Sequence, residues 1–367
     1  MKLRIISPIH VGDGEEIIPW EYSVTGSSFS YYSVEKITEG LRGSFSGQRL
    51  RNMLIKLRDE VRNSEFRKSL GDFLRENNIS IEPVYTIPLK TELKKGAEYK
   101  SVKSFIKNTE GAYVPGSEIK GALRTVFMFG VIYRDMKEGG NLLKKVREIL
   151  INSLNRSRKV DRREKRSVWE EANQEVQKLI FFRNAPKQDA KYDIFKAVLV
   201  SDTEAVKPSE SLYVDSVKVL GSSRDIEDPH ELMKEGVELS FSLKIDEDRK
   251  KGLNEVYKNP YIDLLTEDFL YESSKLFYKF LLDREREFFG DRYYEPVEDS
   301  LSEGDFLLRI GKHQGFLNIT IMLPVLLGDR KLFDAVFKEV VPQPRDKTNK
   351  TRKVTSEGKP LGWVVIS

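Results

Sequence analysis

Residues 113 to 125 read YVPGSEIKGALRT, a stretch whose residue types suit an anion. The sequence predicts a helix from this turn, with Ser117 as its N-cap. The backbone N–H groups of Ile119 and Lys120 would then be unpaired donors at the positive end of the helix dipole. Lys120 and Arg124 lie four residues apart and share a helical face. Gly121 carries no side chain, so a backbone or a ligand can come close there. Two readings follow: an ordinary capped helix, or a helix start that holds a phosphate. A P-loop is excluded, because no Gly-Lys-Ser/Thr follows the glycines.

Two further stretches carry the same kind of chemistry. SPIHVGDGEE, residues 7 to 16, sets Gly12 and Gly14 around Asp13 in a glycine-rich loop, with His10 at its mouth. Such loops present backbone N–H groups to phosphates; a tight turn beside a partly buried histidine is the plainer reading. LLRIGKHQGFLNITI, residues 307 to 321, brackets Lys312 and His313 between Gly311 and Gly315. That arrangement suits contact with a nucleic-acid backbone, or a solvated hairpin loop. Two basic runs add to the picture. Residues 156 to 166 hold seven cations and two acids, and residues 342 to 353 hold five cations and one acid. They are solvated segments or the electrostatic part of an RNA affinity.

No catalytic constellation is legible. The three histidines, His10, His230 and His313, are far apart in the chain, and spacing pairs none of them. No Ser/His/Asp arrangement or metal-binding carboxylate spacing stands out, so no metal and no cofactor is expected. The one enzymatic alternative is a metal-independent ribonuclease. It would use His10 as general base, with a nearby Lys or Tyr steadying developing charge.

The elements that must position these residues read as α+β. A short strand over residues 3 to 6 leads into the first glycine loop. Residues 22 to 33 form a hairpin turning near Gly26-Ser27. Residues 47 to 77 are helical, with Leu50, Leu54, Leu57 and Val61 at helical spacing, and a strand follows at 84 to 89. In the helix after Ser117, Ile119, Leu123, Val126, Phe127 and Gly130 fall on one face. Residues 141 to 181 are helical and highly charged. IFKAVLVSDTEAV, from Ile194, reads as a core strand ending at Ser201-Asp202. Strands are expected over 212 to 220 and 237 to 245, a long amphipathic helix over 261 to 289, and final strands over 306 to 310 and 362 to 366. The polar stretch GSSRDIEDPHE, 221 to 231, reads as a linker. It divides the chain into 1–222, with a helical insertion over about 138–185, and 223–367.

Composition sets outer limits. The chain has 367 residues, 39% hydrophobic and 33% charged, so two domains with a real core are feasible. Formal net charge is only +4 and cysteine is absent. This fits a soluble, cytoplasmic protein, thermophile-like in its charge content. No secretory leader or membrane span is expected, because the apolar runs are too short.

Three glycine-bearing segments in this order resemble the RAMP superfamily of CRISPR-associated RNA-binding proteins. SPIHVGDGEE is similar to its first strand and loop. VPGSEIKGALRT is similar to its PGSSxKGxxR signature, with Glu118 where a small residue often stands. RIGKHQGF resembles its C-terminal glycine loop, and FKAVLVSDT its strand ending in Ser-Asp. With the near-terminal PLGW, the chain is most similar to the subunit of type III-A (Csm) effector complexes at the crRNA 3′ end. The resemblance implies two RRM-like (ferredoxin-like) domains and a non-catalytic RNA-binding role in crRNA maturation and antiviral defence. It implies as partners the 3′ portion of crRNA, the neighbouring backbone RAMP subunit, the small helical subunit and target RNA, and no membrane. The implied RNA contacts are His10, Gly12, Gly14, Ser117, Lys120, Gly121, Arg124, Gly311, Lys312, His313 and Gly315. Family target cleavage uses an Asp in a loop of the backbone subunit; Asp13 stands in the glycine loop instead, which argues against cleavage here. An RNP-like aromatic motif is absent, so RNA would be held by its phosphates, without sequence readout. The alternative within this resemblance is an endoribonuclease that processes crRNA.

Overall fold

The computed structural model describes residues 1–64, 66–220, 227–289, 294–315, 317–318, 320–340 and 352–367, with the backbone alone for 162, 220, 287–289 and 352. Two sheets dominate. The first is antiparallel, in the order Glu238–Ser240, Lys2–Ile5, Trp363–Ile366, Phe306–Arg309. The second runs Arg352–Val354, Leu212–Leu220, Glu227–Met233, Val102–Phe105, Gly12–Ile17. Its middle pair, Glu227–Met233 against Val102–Phe105, is parallel. A third sheet joins the Tyr22–Thr25 and Ser28–Tyr31 hairpin to Tyr85–Pro88. With helices packed over the sheets, the class is α+β.

Both large sheets draw strands from either side of residue 222. The first strand of the chain pairs with the last, Leu3 opposite Ile366. Alternation explains the choice of face: Leu3, Ile5, Leu239, Val364 and Ile366 all turn into one core. The stretch read as a linker is therefore corrected. Residues 227 to 231 are strand, paired with Leu212–Leu220 from Met233 to Glu227, and Pro229 to Glu231 are buried. Residues 221 to 226 lie outside the described residues. The polar types misled because this strand buries its polar side chains in bonds to its neighbours.

The helix Gly116–Lys137 is the central pillar. Ile119, Leu123, Val126, Phe127 and Gly130 are all buried, and so are Met128, Phe129, Val131 and Ile132. A helix apolar on most sides lies inside. It packs on Glu267–Phe289 where Gly130 meets Ser273. A Cβ at Gly130 would stand only 2.7 Å from that of Ser273. Phe127 meets Phe181, Phe195 and Phe269, with centroids 5.6 to 6.0 Å apart.

Several expected elements differ. The 47–77 helix is two helices, Gly47–Asn63 and Leu70–Glu76, and an unexpected one, Val34–Ser44, precedes them. Leu54 and Val61 are exposed, so their helical spacing does not mark a buried face in the chain. Residues 141–181 divide into Leu142–Ser157 and Arg162–Ile180. Asp161 caps the second by accepting from the N–H groups of Arg163 and Glu164. The strand expected from Ile194 begins as a 3-10 turn, Ile194–Ala197, capped by Asp193, and only Val198–Val200 is strand. The alternating 237–245 stretch is cut into Glu238–Ser240 and Leu243–Ile245, which serve different sheets. The basic run at 342 to 353 falls mostly outside the described residues. Among those described, no helix is long and apolar enough to cross a membrane.

Candidate nucleic-acid interface

The three glycine segments meet. Lys312 N–H donates to the His10 carbonyl at 2.8 Å, and Gly362 N–H donates to the Pro8 carbonyl at 3.0 Å. Gly311 has a φ of +78°, and a Cβ there would lie 2.5 Å from the His10 oxygen. Only glycine permits that crossing. Gly311 N–H also reaches the Glu118 carboxylate at 3.3 Å. Glu118 thus stands where the signature usually has a small residue, and it ties the 116–137 helix to the third loop. From the chain's end, Trp363 N–H donates to the Ser7 hydroxyl at 3.0 Å.

The first glycine loop is corrected to a bulged edge strand. Gly12–Ile17 pairs with Val102–Phe105, and the register shifts between Gly12 and Glu16. Gly14 takes a φ of +95° with open space around it. Asp13 shapes the bulge: it accepts from Glu15 N–H and from the Ser104 hydroxyl, each at 2.9 Å.

All three histidines of the chain come together here, which sequence spacing did not show. The His10 and His230 rings are 4.6 Å apart, and those of His230 and His313 5.1 Å apart. The partners assign the protons. His10 Nδ1 faces the Glu231 carbonyl at 2.8 Å and His230 Nδ1 faces the Asp228 carbonyl at 2.6 Å. Carbonyls only accept, so both Nδ1 atoms carry hydrogen and both Nε2 atoms are bare. His313 Nε2, 3.2 Å from His230 Nε2, must then be the donor. His10 Nε2 is buried and has no partner. Burial first, then the neighbouring histidine and Lys312, push His10 down to about 3. Burial chiefly holds His230 at about 4 and His313 at about 3, with Lys353 adding to both. All three rings are neutral near pH 7. His313 adopts a φ of +73°, a conformation that costs a non-glycine residue about 1 kcal/mol.

Behind the histidines lies Glu231, fully buried. Its carboxylate accepts from the Tyr85 hydroxyl at 2.6 Å, from Phe105 N–H at 2.8 Å and from Lys107. These bonds clamp the parallel strand pair at His230 and Lys103. Sequence reasoning missed this residue, since nothing marks a lone Glu in DPHELM as a buried hub.

The helix start differs from the expectation. Gly116, not Ser117, begins the helix, and Pro115 is the cap. The Asp202 carboxylate, from the Ser-Asp at the end of the 198–200 strand, accepts from Gly116 N–H at 2.8 Å. A protein carboxylate therefore already occupies the positive end of the dipole. Lys120 Nζ donates to the Val198 carbonyl at 2.7 Å. Arg124 bonds Asp193 at 2.7 Å and Gln177 at 3.1 Å, and stacks 3.6 Å above the Phe181 ring. Burial lowers the pKa of both cations. They anchor the 193–202 segment to the helix. Ser117 and Gly121 stay exposed, and so does Lys312 in the third loop.

The sequence profile of the RAMP superfamily matches residues 2–317. The CRISPR system Cms protein Csm5 of Methanocaldococcus jannaschii is 23% identical over 333 residues, 88% of this chain and 72% of that protein. The protein of the same name from Streptococcus thermophilus is 28% identical over 137 residues, 35% of this chain and 37% of its own. A chain in the cryo-EM structure of a Csm–crRNA–target RNA ternary complex of a type III-A CRISPR-Cas system superposes with a TM-score of 0.76 at 21% identity, covering 100% of this chain and 99% of that one. The crystal structure of T. onnurineus Csm5 gives 0.70 at 21% identity, with both chains covered in full. At these identities the superpositions speak for the fold.

Proposed function

The chain belongs to the RAMP superfamily, and from that premise we propose that it is a non-catalytic RNA-binding subunit of a cytoplasmic type III-A (Csm) effector complex. In this reading it caps the 3′ portion of crRNA, contacts the neighbouring backbone RAMP subunit, and supports crRNA maturation and antiviral defence. The small helical subunit and target RNA lie within its reach. The two large sheets are the counterparts of the family's two RRM-like units.

One observation carries the proposal. The Gly12–Gly14 bulge, the helix start with exposed Ser117 and Gly121, and the Gly311–Gly315 loop with exposed Lys312 form one continuous cluster. Glycines let a sugar-phosphate backbone approach, and a cation on the rim supplies attraction without reading bases. Lys120 and Arg124 support this surface from below. The endoribonuclease alternative has less behind it: a histidine held near 3, with its free nitrogen buried, is a poor general base at neutral pH.

Fluorescence anisotropy with a labelled single-stranded RNA tests the reading. Replacing Lys312 with Ala should weaken binding several-fold and reduce the slope of log K against log salt by about 0.7, the loss of one phosphate contact. Gly121→Asp, which adds an exposed carboxylate beside the path, should weaken it further. Wild-type affinity and slope in both variants would refute the interface.

A further inference from the structure

The space above Gly12 has a definite chemistry. A Cβ built on Gly12 would stand 2.8 Å from His10 Nε2 and 2.8 Å from Lys312 Nζ. The glycine thus leaves room for a small group between a nitrogen lone pair and an ammonium. The lone pair is genuine: Nδ1 of His10 spends its hydrogen on the Glu231 carbonyl, and Nε2 has no partner although the ring is wholly buried. A buried acceptor left unpaired costs free energy that a matching donor restores. Lys312 is exposed, and its long side chain can swing outward. What enters must bring a hydroxyl or N–H donor for His10 and should bring negative charge for Lys312.

Resting on the proposed function, we infer that the His10–Gly12–Lys312 pocket reads a ribose 2′-hydroxyl, and so selects RNA over DNA. A ribonucleotide presents a 2′-hydroxyl beside its own 3′-phosphate. The hydroxyl donates to His10 Nε2 while Lys312 moves onto the phosphate. The 2′-hydroxyl is the feature by which a protein can tell RNA from DNA at one nucleotide. His10 accepts this hydrogen bond without taking the proton, because burial keeps the ring too weak a base. The row of histidines has a role here as well. His230 and His313 pack edge-on behind His10 and fix its plane. The positive φ of His313 keeps the third loop folded against them.

The test uses the full chain and three single-stranded oligonucleotides of one sequence: RNA, DNA and 2′-O-methyl RNA. Wild type should bind RNA about tenfold more tightly than either of the others, the ratio that 1.4 kcal/mol gives. The 2′-O-methyl probe must behave like DNA, since it keeps the oxygen and loses the donor. Gly12→Ala fills the pocket, and the φ of Gly12 is not in the left-handed region, so the backbone accepts alanine. His10→Asn keeps a donor for the Glu231 carbonyl and removes the acceptor. Each variant, checked for folding by thermal melting, should bind all three probes with the affinity that wild type shows for DNA. Equal wild-type affinity for the three probes overturns the hydroxyl reading and leaves phosphate binding standing. Binding to none of them overturns both. An RNA preference that survives in both folded variants moves the discrimination away from this pocket and overturns the assignment.

Discussion

Arg124 closes the signature PGSEIKGALR, and the structure uses it as an anchor. Replacing it with Ala removes a charge-assisted bond to Asp193 at 2.7 Å, a bond to Gln177 at 3.1 Å, and a guanidinium stacked 3.6 Å above Phe181. The ion pair is mostly but not wholly buried, with side-chain exposures of 23% and 17%. Its worth therefore lies between a surface pair and the 3–5 kcal/mol lost when a buried pair is broken. The desolvated cation–π contact adds about 1 kcal/mol. Asp193 keeps one partner, Phe195 N–H at 2.8 Å, which limits the loss. A destabilisation of about 3 kcal/mol is expected in urea unfolding followed by circular dichroism. Arg124→Lys should lose more than half of this, since an ammonium neither stacks flat nor forks. At temperatures where the variant is folded, its RNA affinity should stay within about twofold of wild type. Unchanged stability, together with a tenfold loss of RNA affinity and a salt slope reduced by about 0.7, would falsify the anchoring role and return Arg124 to the RNA surface.

Stability should fall with acid. The three histidines titrate at about 3 to 4 when folded, below the 6.5 of an unfolded chain. The unfolded state therefore binds more protons between those values. The histidine contribution is complete above about pH 6.5 and declines toward pH 4, by up to about 1.4 kcal/mol per pH unit for each ring. Urea midpoints at pH 7.5, 6 and 5 should show the decline, and His230→Asn should flatten it; a flat wild-type profile would count against neutral buried rings. Glu231→Ala strands the Tyr85 hydroxyl, Phe105 N–H and the Lys107 ammonium, and should cost about 3–5 kcal/mol by the same unfolding assay. Glu231→Gln, which keeps an acceptor, should cost clearly less, and equal losses would point to packing instead. Gly130→Ala brings a methyl within 2.7 Å of the Ser273 Cβ. It should lower stability by about 1–2 kcal/mol despite alanine's better helix propensity. A Ser273→Gly background should remove most of that loss; an unaffected loss would mean the two helices are not in contact there.

Much of the frame was legible because it depends on local pattern. Ile119, Leu123, Val126 and Phe127 recur at helical spacing and are all buried. YSVTGSSFSYY turns at Gly26, whose φ of +58° suits glycine, and pairs Tyr22 with Tyr31. Register errors arose where local pattern and sheet membership part. The alternation through 237–245 is real, yet a chain bent between Ser240 and Leu243 sends its ends to different sheets. Leu50, Leu54 and Val61 have helical spacing without a core to meet, because spacing records a face and not what covers it.

By itself, the sequence determined the three glycine segments, their order, and the apolar helix that carries the second of them. Only the tertiary structure decided what they face. Lys120 and Arg124 look free in one dimension, but the 193–202 segment returns to take both, and Asp202 takes the helix N-terminus. His10, His230 and His313 are separated by 220 and 83 residues in the chain. Strand pairing still brings them into one row, since Glu227–Met233 lies beside Val102–Phe105 and the Gly311 loop crosses over His10. Contacts of that range follow from sheet order and from what each strand buries. No window of the sequence contains both partners.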